Sequence, residues 1–407
     1  MIQVHSTSSR NKLLIPAHGH GRRLLNRLQQ VLTQTEQIIK ENAHTCNFTN
    51  GPQVKHFEKV FADYLGVPHA VAFNSGSSAF LALLECMHFP KGSEIICPAL
   101  TFIMSCYPIS SVGLVPVFVD IDPDTYTMDP EQVAQAITEK TVAILPVHLF
   151  GQSADLDPLL VLAQEHNLLV FEDASQAHGA TYKGKKVGGL GDASFFSLNA
   201  VKNMGTGGGD AGIAVLSQNL LNSFPHFESR LKAWRDTGRT GAERYIHDEY
   251  GTRTRMNEYD AFECIEELKL LNAWNMRRRQ IAMRYDGALT GTEYQSPFFS
   301  PSDEHAYFHY MAKSANVLLR DQLEKRLQQA GIEVGQRYTV VPDQRMYRVG
   351  ELASRTFSAE YARSVAGLLT PVPIYPELSD AEVELIAEVL SAREEDSTHL
   401  DAKHMPY

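Results

Sequence analysis

Three short stretches of this chain carry side chains of the kind that do chemistry. The first, Asn74-Ser75-Gly76-Ser77-Ser78-Ala79, sets hydroxyls and a glycine between an apolar run, Ala70 to Phe73, and a helical stretch, Ser78 to Met87. Free backbone N–H groups at a helix start, with hydroxyls around them, suit a phosphate. The same residue types also make an ordinary helix cap. The second, Glu172-Asp173-Ala174-Ser175-Gln176, follows the apolar run Leu168 to Phe171. Carboxylates at the C-terminal end of a parallel strand lie where open α/β sheets bind ligands, although a surface turn with a capping Asp has the same composition. The third runs from Ser194 to Asn203 and carries Lys202, followed by Gly205-Thr206-Gly207-Gly208-Gly209. Most lysines leaving a strand into a loop are simply solvated. One buried beside a cofactor loses basicity and becomes a Schiff-base amine.

These stretches need elements to position them, and the pattern supplies an alternation. Apolar runs at Glu94 to Cys97, Val115 to Ile121, Val142 to Val147 and Leu168 to Phe171 read as buried strands. Helical spacing at Ser78 to Met87, Phe102 to Ser111, Pro130 to Glu139 and Asp157 to His166 separates them. Such an order predicts a mainly parallel sheet covered by helices on both faces. Runs at Ala193 to Ser197 and Gly212 to Leu216 extend it, and helices are expected over 22–42 and His56 to Leu65. After about residue 260 come a long helix, Asn257 to about Arg284, a β-like run, Tyr307 to Ala312, and helices at Leu319 to Ala330 and Asp380 to Leu390. The expected division is an N-terminal arm and helix over 1–45, a large domain over 46–260, a linker helix with a smaller α+β domain over 261–395, and a frayed tail over 396–407.

The composition narrows the function classes. The chain has 407 residues, 43% hydrophobic and 21% charged, with 48 acidic against 37 basic side chains and a formal charge of −11. That is the profile of a globular protein, without the basic footprint of a dedicated nucleic-acid or anionic-membrane binder. Five cysteines, Cys46, Cys86, Cys97, Cys106 and Cys264, form no CxxC pair, so neither a disulfide framework nor a cysteine zinc site is expected. Met1 to Arg10 lacks the apolar core of a signal peptide, and no run reaches the length of a membrane span; the expectation is a reduced, cytoplasmic protein. Gly179 to Lys186 approaches a phosphate-binding P-loop, but Lys186 stands where a hydroxyl should hold Mg²⁺. The pairs His18/His20 and His305/His309 read as surface or core histidines rather than metal ligands, and no metal is expected.

Taken together, in order, a phosphate turn, an acid after a later strand and a lysine at a strand exit are the three requirements of pyridoxal 5'-phosphate: a cradle, a partner for the ring nitrogen and an amine. The residues that carry these features also resemble the DegT/DnrJ/EryC1/StrS group of PLP-dependent sugar aminotransferases, of the aspartate-aminotransferase fold type I. The resemblance runs from about Phe48 to Leu390 and is sharpest over Asn50 to Ala79, Cys97 to Ile121 and Phe171 to Ala214. It implies a large domain with a mainly parallel seven-stranded sheet and a smaller C-terminal domain. It implies that Lys202 forms the Schiff base and shuttles the proton, that Asp173 partners the pyridine nitrogen, and that Gln176 bonds the ring hydroxyl. Phe102 matches the stacking aromatic, Ser77, Ser78 and Ser197 match the phosphate ligands, and Thr49 falls near the substrate segment.

The resemblance further implies transfer of an amino group from glutamate or glutamine to a keto-sugar or keto-cyclitol, ping-pong kinetics, and a homodimer whose sites are shared across the interface. A dehydratase or lyase on the same scaffold, or a non-catalytic regulator, are the other readings it allows; retention of Lys202 counts against the family dehydratases. The chain departs from the family pattern at Gly208, where an acid is usual, at Arg253, where an Asn reaches the neighbouring subunit's phosphate, and at Thr237 and Phe308, where His is usual. An arginine at 253 still suits a phosphate, bidentately.

Overall fold

The computed structural model describes residues 14–44, 48–207, 209–241, 245–298, 300 and 302–392. The expectations for Cys46, Gly208, the leader segment Met1 to Arg10 and the tail from 396 on lie outside the described residues.

The alternation becomes one large sheet. Its strands are β1 (His69–Phe73), β2 (Glu94–Pro98), β3 (Val115–Val119), β4 (Thr141–Ile144) and β5 (Leu169–Asp173). A two-strand hairpin, β6 (Thr181–Tyr182) and β7 (Lys185–Lys186), separates these from β8 (Ala193–Ser197) and β9 (Gly212–Leu216). The spatial order is β1-β9-β8-β5-β4-β2-β3, and β9 alone runs against its neighbours. The seven strands expected are present, and an eighth, the two-residue β12 (Arg355–Thr356), adds itself in parallel to the β3 edge. It comes from the C-terminal part of the chain, as do β10 (Tyr294–Gln295), β11 (Tyr310–Ser314) and β13 (Leu369–Val372), which form a separate antiparallel sheet.

Alternate residues of each strand enter different cores. Val71, Phe73, Ile95, Cys97, Phe118, Phe171 and Phe195 pack in one apolar cluster, while Ala70, Ala72, Phe196, Ile213 and Val215 face another and Ile96, Val117, Ile144 and Val170 a third. A strand buried on both faces has no polar side to show, which is why these runs are continuously apolar. The helices before and between the strands are α1 (His20–Asn42), α2 (Pro52–Leu65), α3 (Gly76–Met87), α4 (Tyr107–Ser111), α5 (Pro130–Ala136), α6 (Leu156–His166), α7 (Gln218–Ser223) and α8 (Phe227–Arg235). Phe80 of α3 stacks on Phe195 of β8, ring centroids 4.4 Å apart, with both side chains buried; each such ring contributes roughly 2–3 kcal/mol of apolar burial.

The long α9 (Glu258–Leu289) connects the two parts. Asn257 caps it by accepting the Asp260 N–H at 2.8 Å. Its first half supplies Ala261, Cys264, Ile265 and Leu271 to the core beneath β8 and β9, its last half Ile281, Ala282 and Tyr285 to the C-terminal core. The remaining helices are α10 (Val317–Gln329), α11 (Arg345–Arg348), α12 (Glu360–Ala366) and α13 (Asp380–Ser391), the last opened by a Ser379/Glu382 capping box.

Of the expected spans whose bounds differ, three have a clear local reason. The helix expected over Phe102 to Ser111 is broken into a 3₁₀ turn, Ile103–Ser105, and α4, because Pro108 falls in the first turn of α4 and cannot continue a helix from upstream. The run Val142 to Val147 ends as a strand at Ile144, since Pro146 has no N–H for a ladder. The strand expected from Tyr307 begins at Tyr310, because Tyr307 sits at φ +45°, in the left-handed region that a strand excludes.

Candidate active site

At the C-terminal ends of β5 and β8, against the start of α3, the three stretches come together. Ser75 caps α3: its Oγ accepts the Ser78 N–H at 3.0 Å and donates to Ser78 Oγ at 2.9 Å. The turn is pressed against the ends of β8 and β9. A Cβ on Gly76 would stand 2.9 Å from Ser197 Cα, and one on Gly212 would stand 2.2 Å from the Gly76 nitrogen. The two glycines therefore let three backbone segments converge, with the Ser77, Ser78 and Ser197 hydroxyls beside the N-terminal N–H groups of α3. That donor set fits a phosphate.

Asp173, the last residue of β5, is 4% exposed. Its Oδ1 accepts the Ser175 N–H at 3.0 Å and its Oδ2 accepts the Ser105 hydroxyl at 2.6 Å. Ser105 was not singled out from the sequence; it arrives from the 3₁₀ turn that Pro108 isolates, and no local pattern marks it. Gln176 is held at both ends of its amide: Oε1 accepts the Phe150 N–H at 2.9 Å and Nε2 donates to the Tyr338 hydroxyl at 3.2 Å, which leaves Nε2 one further N–H to offer. Phe102 is 49% exposed and presents its ring 6.0 Å from that of Tyr338.

Lys202 enters on the turn that follows β8, its N–H bonded to the Asn199 carbonyl at 2.9 Å. Desolvation brings its amine down to about 8 from an ordinary 10.5, with Asp173 and Asp210 pulling the other way. Its Nζ lies 4.4 Å from the centre of the Phe308 ring. Arg23 of α1 donates to the Lys202 carbonyl at 3.3 Å and pairs with Glu267 and Glu377, so the N-terminal helix holds the lysine turn from outside.

Two expected residues lie at the rim. The Thr254 carbonyl accepts the Asn74 N–H at 2.9 Å, which sets Arg253 beside the phosphate turn with its side chain exposed. Thr49 pairs through its backbone with Asn257, on the same side. Thr237, at φ +62°, bonds the Thr252 carbonyl. The structure thus gathers Ser77, Ser78, Ser197, Asp173, Gln176 and Lys202 at the ends of β5 and β8 and the start of α3, with Asp173 close enough to act on the Lys202 amine and Phe102 exposed nearby. It adds Ser105, Phe150 and Tyr338, which the sequence reading passed over because they come from distant segments.

The residues present fit pyridoxal phosphate: a cradle without room for a Cβ, a buried carboxylate with an orienting hydroxyl, and an amine whose basicity burial has lowered. Among the described residues, no helix is long and apolar enough to cross a membrane.

Known proteins agree with the geometry. The profile of the DegT/DnrJ/EryC1/StrS aminotransferase family matches residues 30–391. A GDP-perosamine synthase of Caulobacter vibrioides is 34% identical over 344 residues, 84% of this chain and 90% of that one. The crystal structure of DesV from S. venezuelae superposes with a TM-score of 0.81 at 32% identity, covering 90% of this chain and 96% of that one. A sugar aminotransferase described as putative, Spr1654 from Streptococcus pneumoniae, solved in a PLP form, gives a TM-score of 0.79 at 27% identity over 87% and 94% of the two chains. On these matches the chain belongs to the DegT/DnrJ/EryC1/StrS family of PLP-dependent aminotransferases.

Proposed function

We propose that this enzyme moves an amino group from glutamate or glutamine to a keto-sugar or keto-cyclitol by a ping-pong reaction centred on Lys202. The observation that carries the reading is the convergence of the Lys202 amine, the Asp173 carboxylate and the serine cradle on one cleft. Bound pyridoxal phosphate supplies an electron sink for the substrate carbon. Asp173 would hold a proton on the ring nitrogen, its carboxylate plane fixed by the Ser105 hydroxyl on one oxygen and the Ser175 N–H on the other. Gln176 Nε2 donates to the ring hydroxyl, its other end being tied to Phe150. Ser77, Ser78 and Ser197 would hold the phosphate, and the exposed Phe102 ring would pack against the cofactor. The Lys202 amine, close to half neutral near pH 8, would be the base at the donor carbon in one half of the cycle and, protonated, the acid at the acceptor carbon in the other, giving up or gaining its proton within each half.

The exposure of Arg253 beside the phosphate turn supports a homodimer in which this guanidinium serves the neighbouring subunit's site. The division into a large domain over 46–260 and a smaller one over 261–395 belongs to the same reading, with α9 as the connector. Purified holoenzyme is expected to show a near-visible absorbance band that glutamate or glutamine bleaches. Lys202→Ala is expected to fold normally, judged by circular dichroism, and to lose the amino-transfer half-reaction; turnover equal to wild type in that variant would remove Lys202 from its assigned role. A comparison of nucleotide-linked keto-sugars, keto-sugar phosphates and inososes as acceptors sets the substrate class.

A further inference from the structure

Two imidazoles stand on the wall of the cleft without a part in the chemistry above. His309 follows Phe308, the ring beneath the Lys202 amine, and the two ring centroids are 4.2 Å apart. His18 comes from the N-terminal arm, and its ring centroid is 5.7 Å from that of His309. Both rings are half-buried, and neither makes a hydrogen bond through its ring nitrogens among the described residues.

The arm that delivers His18 is pinned on both sides. Ile15 donates to the Gly331 carbonyl and accepts from the Glu333 N–H, each at 2.9 Å, and the Ala17 N–H donates to Glu333 Oε2 at 3.1 Å. After His18, a Cβ on Gly19 would lie 2.3 Å from the Tyr375 ring, so the arm passes there only as glycine. His309 is fixed through its own N–H, which donates to the Phe150 carbonyl at 3.2 Å.

The surroundings define what these rings could bind. Phe150 and Tyr338 stack at 5.8 Å and 9°, His309 lies 6.0 Å from Phe150 and 6.4 Å from Tyr338, and Tyr338 leads on to Phe102. This continuous wall of flat faces ends in the two imidazoles beside the amine. Desolvation holds His309 at about 3, helped by His18 and Lys202; it also lowers His18, against the pull of Glu333. Neutral imidazole offers one N–H donor and one acceptor. That pairs with hydroxyl and carbonyl oxygens, and brings no positive charge to a carboxylate. Flat apolar faces edged by neutral donors and acceptors suit a polyhydroxylated ring.

We propose that His18 and His309 are specificity residues for the acceptor, hydrogen-bonding the hydroxyls that flank its ketone while leaving the amino donor's binding untouched. This rests on the aminotransferase reading with a keto-sugar or keto-cyclitol acceptor, and the ping-pong cycle lets the two be tested apart. Donor and acceptor half-reactions are followed separately by absorbance on holoenzyme, with glutamate or glutamine as donor and with scyllo-inosose and dTDP-4-keto-6-deoxyglucose as acceptor probes. Binding of the same probes to the cofactor-free protein is measured by calorimetry.

His309→Ala and His18→Ala are each expected to raise the half-saturating concentration and the Kd of the responding probe about tenfold, the loss of one neutral hydrogen bond. The glutamate half-reaction should stay within about twofold of wild type. His309→Gln, which keeps a donor and an acceptor, is expected to recover most of the probe affinity and controls for damage to the fold. Unchanged probe affinity, or equal loss in both halves with His309→Gln no better than His309→Ala, would overturn the assignment. A wild-type enzyme with neither a glutamate nor a glutamine half-reaction would instead overturn the reading as an aminotransferase with these donors. If either donor reacts and neither probe binds or is consumed, the acceptor class and this assignment fall together.

Discussion

At the scale of single residues the site is a matter of where charge is allowed to sit. The Lys202 amine is brought down to about 8 by desolvation, and Asp173 and Asp210 limit the fall. Only the neutral amine attacks an aldehyde. Capture of pyridoxal phosphate by the cofactor-free protein should therefore accelerate as pH rises through about 8 and level off above it. A rate still climbing toward the ordinary lysine value of 10.5 would contradict the desolvation, and stopped-flow absorbance reads the difference. The phosphate cradle is as demanding sterically as the lysine is electrostatically. Gly212 faces the Gly76 nitrogen so closely that a Cβ would stand 2.2 Å away, against backbone that cannot step aside. Gly212→Ala is expected to displace the start of α3 and weaken cofactor affinity by tenfold or more, measured by titrating the cofactor-free protein.

At the scale of elements, α9 does more than join two cores. Its carboxylates support the loop after the lysine: Glu267 accepts the Gly205 N–H at 2.8 Å and Glu263 accepts the Gly207 N–H at 2.5 Å. Burial raises Glu263 to about 7, with Glu267 adding to it. A carboxyl at about 7 in the folded chain and 4.5 in the unfolded one binds more protons when folded between those values. Its contribution to stability therefore falls as pH rises from 4.5 to 7 and stays lost above. Glu263→Gln keeps an acceptor for the Gly207 N–H without the charge. Its Tm should exceed that of wild type at pH 8, and the gain should shrink toward pH 5. α1 braces the same loop from the other side, where Arg23 joins Glu267, Glu377, the Lys202 carbonyl and the Trp274 ring in one buried group.

At the scale of the whole molecule, the C-terminal part is sewn onto the large sheet rather than laid against it. β12 covers the β3 edge, and residues between Val340 and Leu369 share the core of β2, β3 and α3. Covering an edge strand removes a site of intermolecular pairing. Asp120, just after β3, holds this seam. One oxygen accepts the N–H groups of Ile121 and Ala362, the other the Tyr361 N–H and the Ser358 hydroxyl, at 2.8–3.1 Å. Ala359 precedes α12 and has no side-chain oxygen to cap it, so Asp120 supplies the cap from a distant segment. Asp120→Ala leaves buried N–H groups unpaired, and a loss of about 2–4 kcal/mol is expected from denaturant titration. Calorimetry should show one transition in wild type and a broadened or split one in the variant.

By itself, the sequence determined the local grammar of this protein. Apolar runs buried on both faces, helical spacing between them, and glycine, serine, aspartate and lysine at the strand ends all act within a few residues. The serine turn at Ser77 and Ser78, the acid after β5 and the lysine after β8 were legible as candidates for that reason, whereas the roles expected of Gln176 and Ser197 came from the family resemblance alone. The broken helix before Ser111 was not legible, although Pro108 was in plain view, because apolar spacing outweighed one proline. What only the tertiary structure decided is which distant segments meet. Ser105 orients Asp173, Tyr338 and Phe150 flank Gln176, Arg23 and His18 arrive from the N-terminal arm, and Asp120 caps a helix some 240 positions later. None of these residues has a distinguishing neighbourhood in the chain. Each gains its role from a partner that periodicity and turn chemistry cannot reach, because hydrogen bonds and packing act through space and local propensity acts along the backbone.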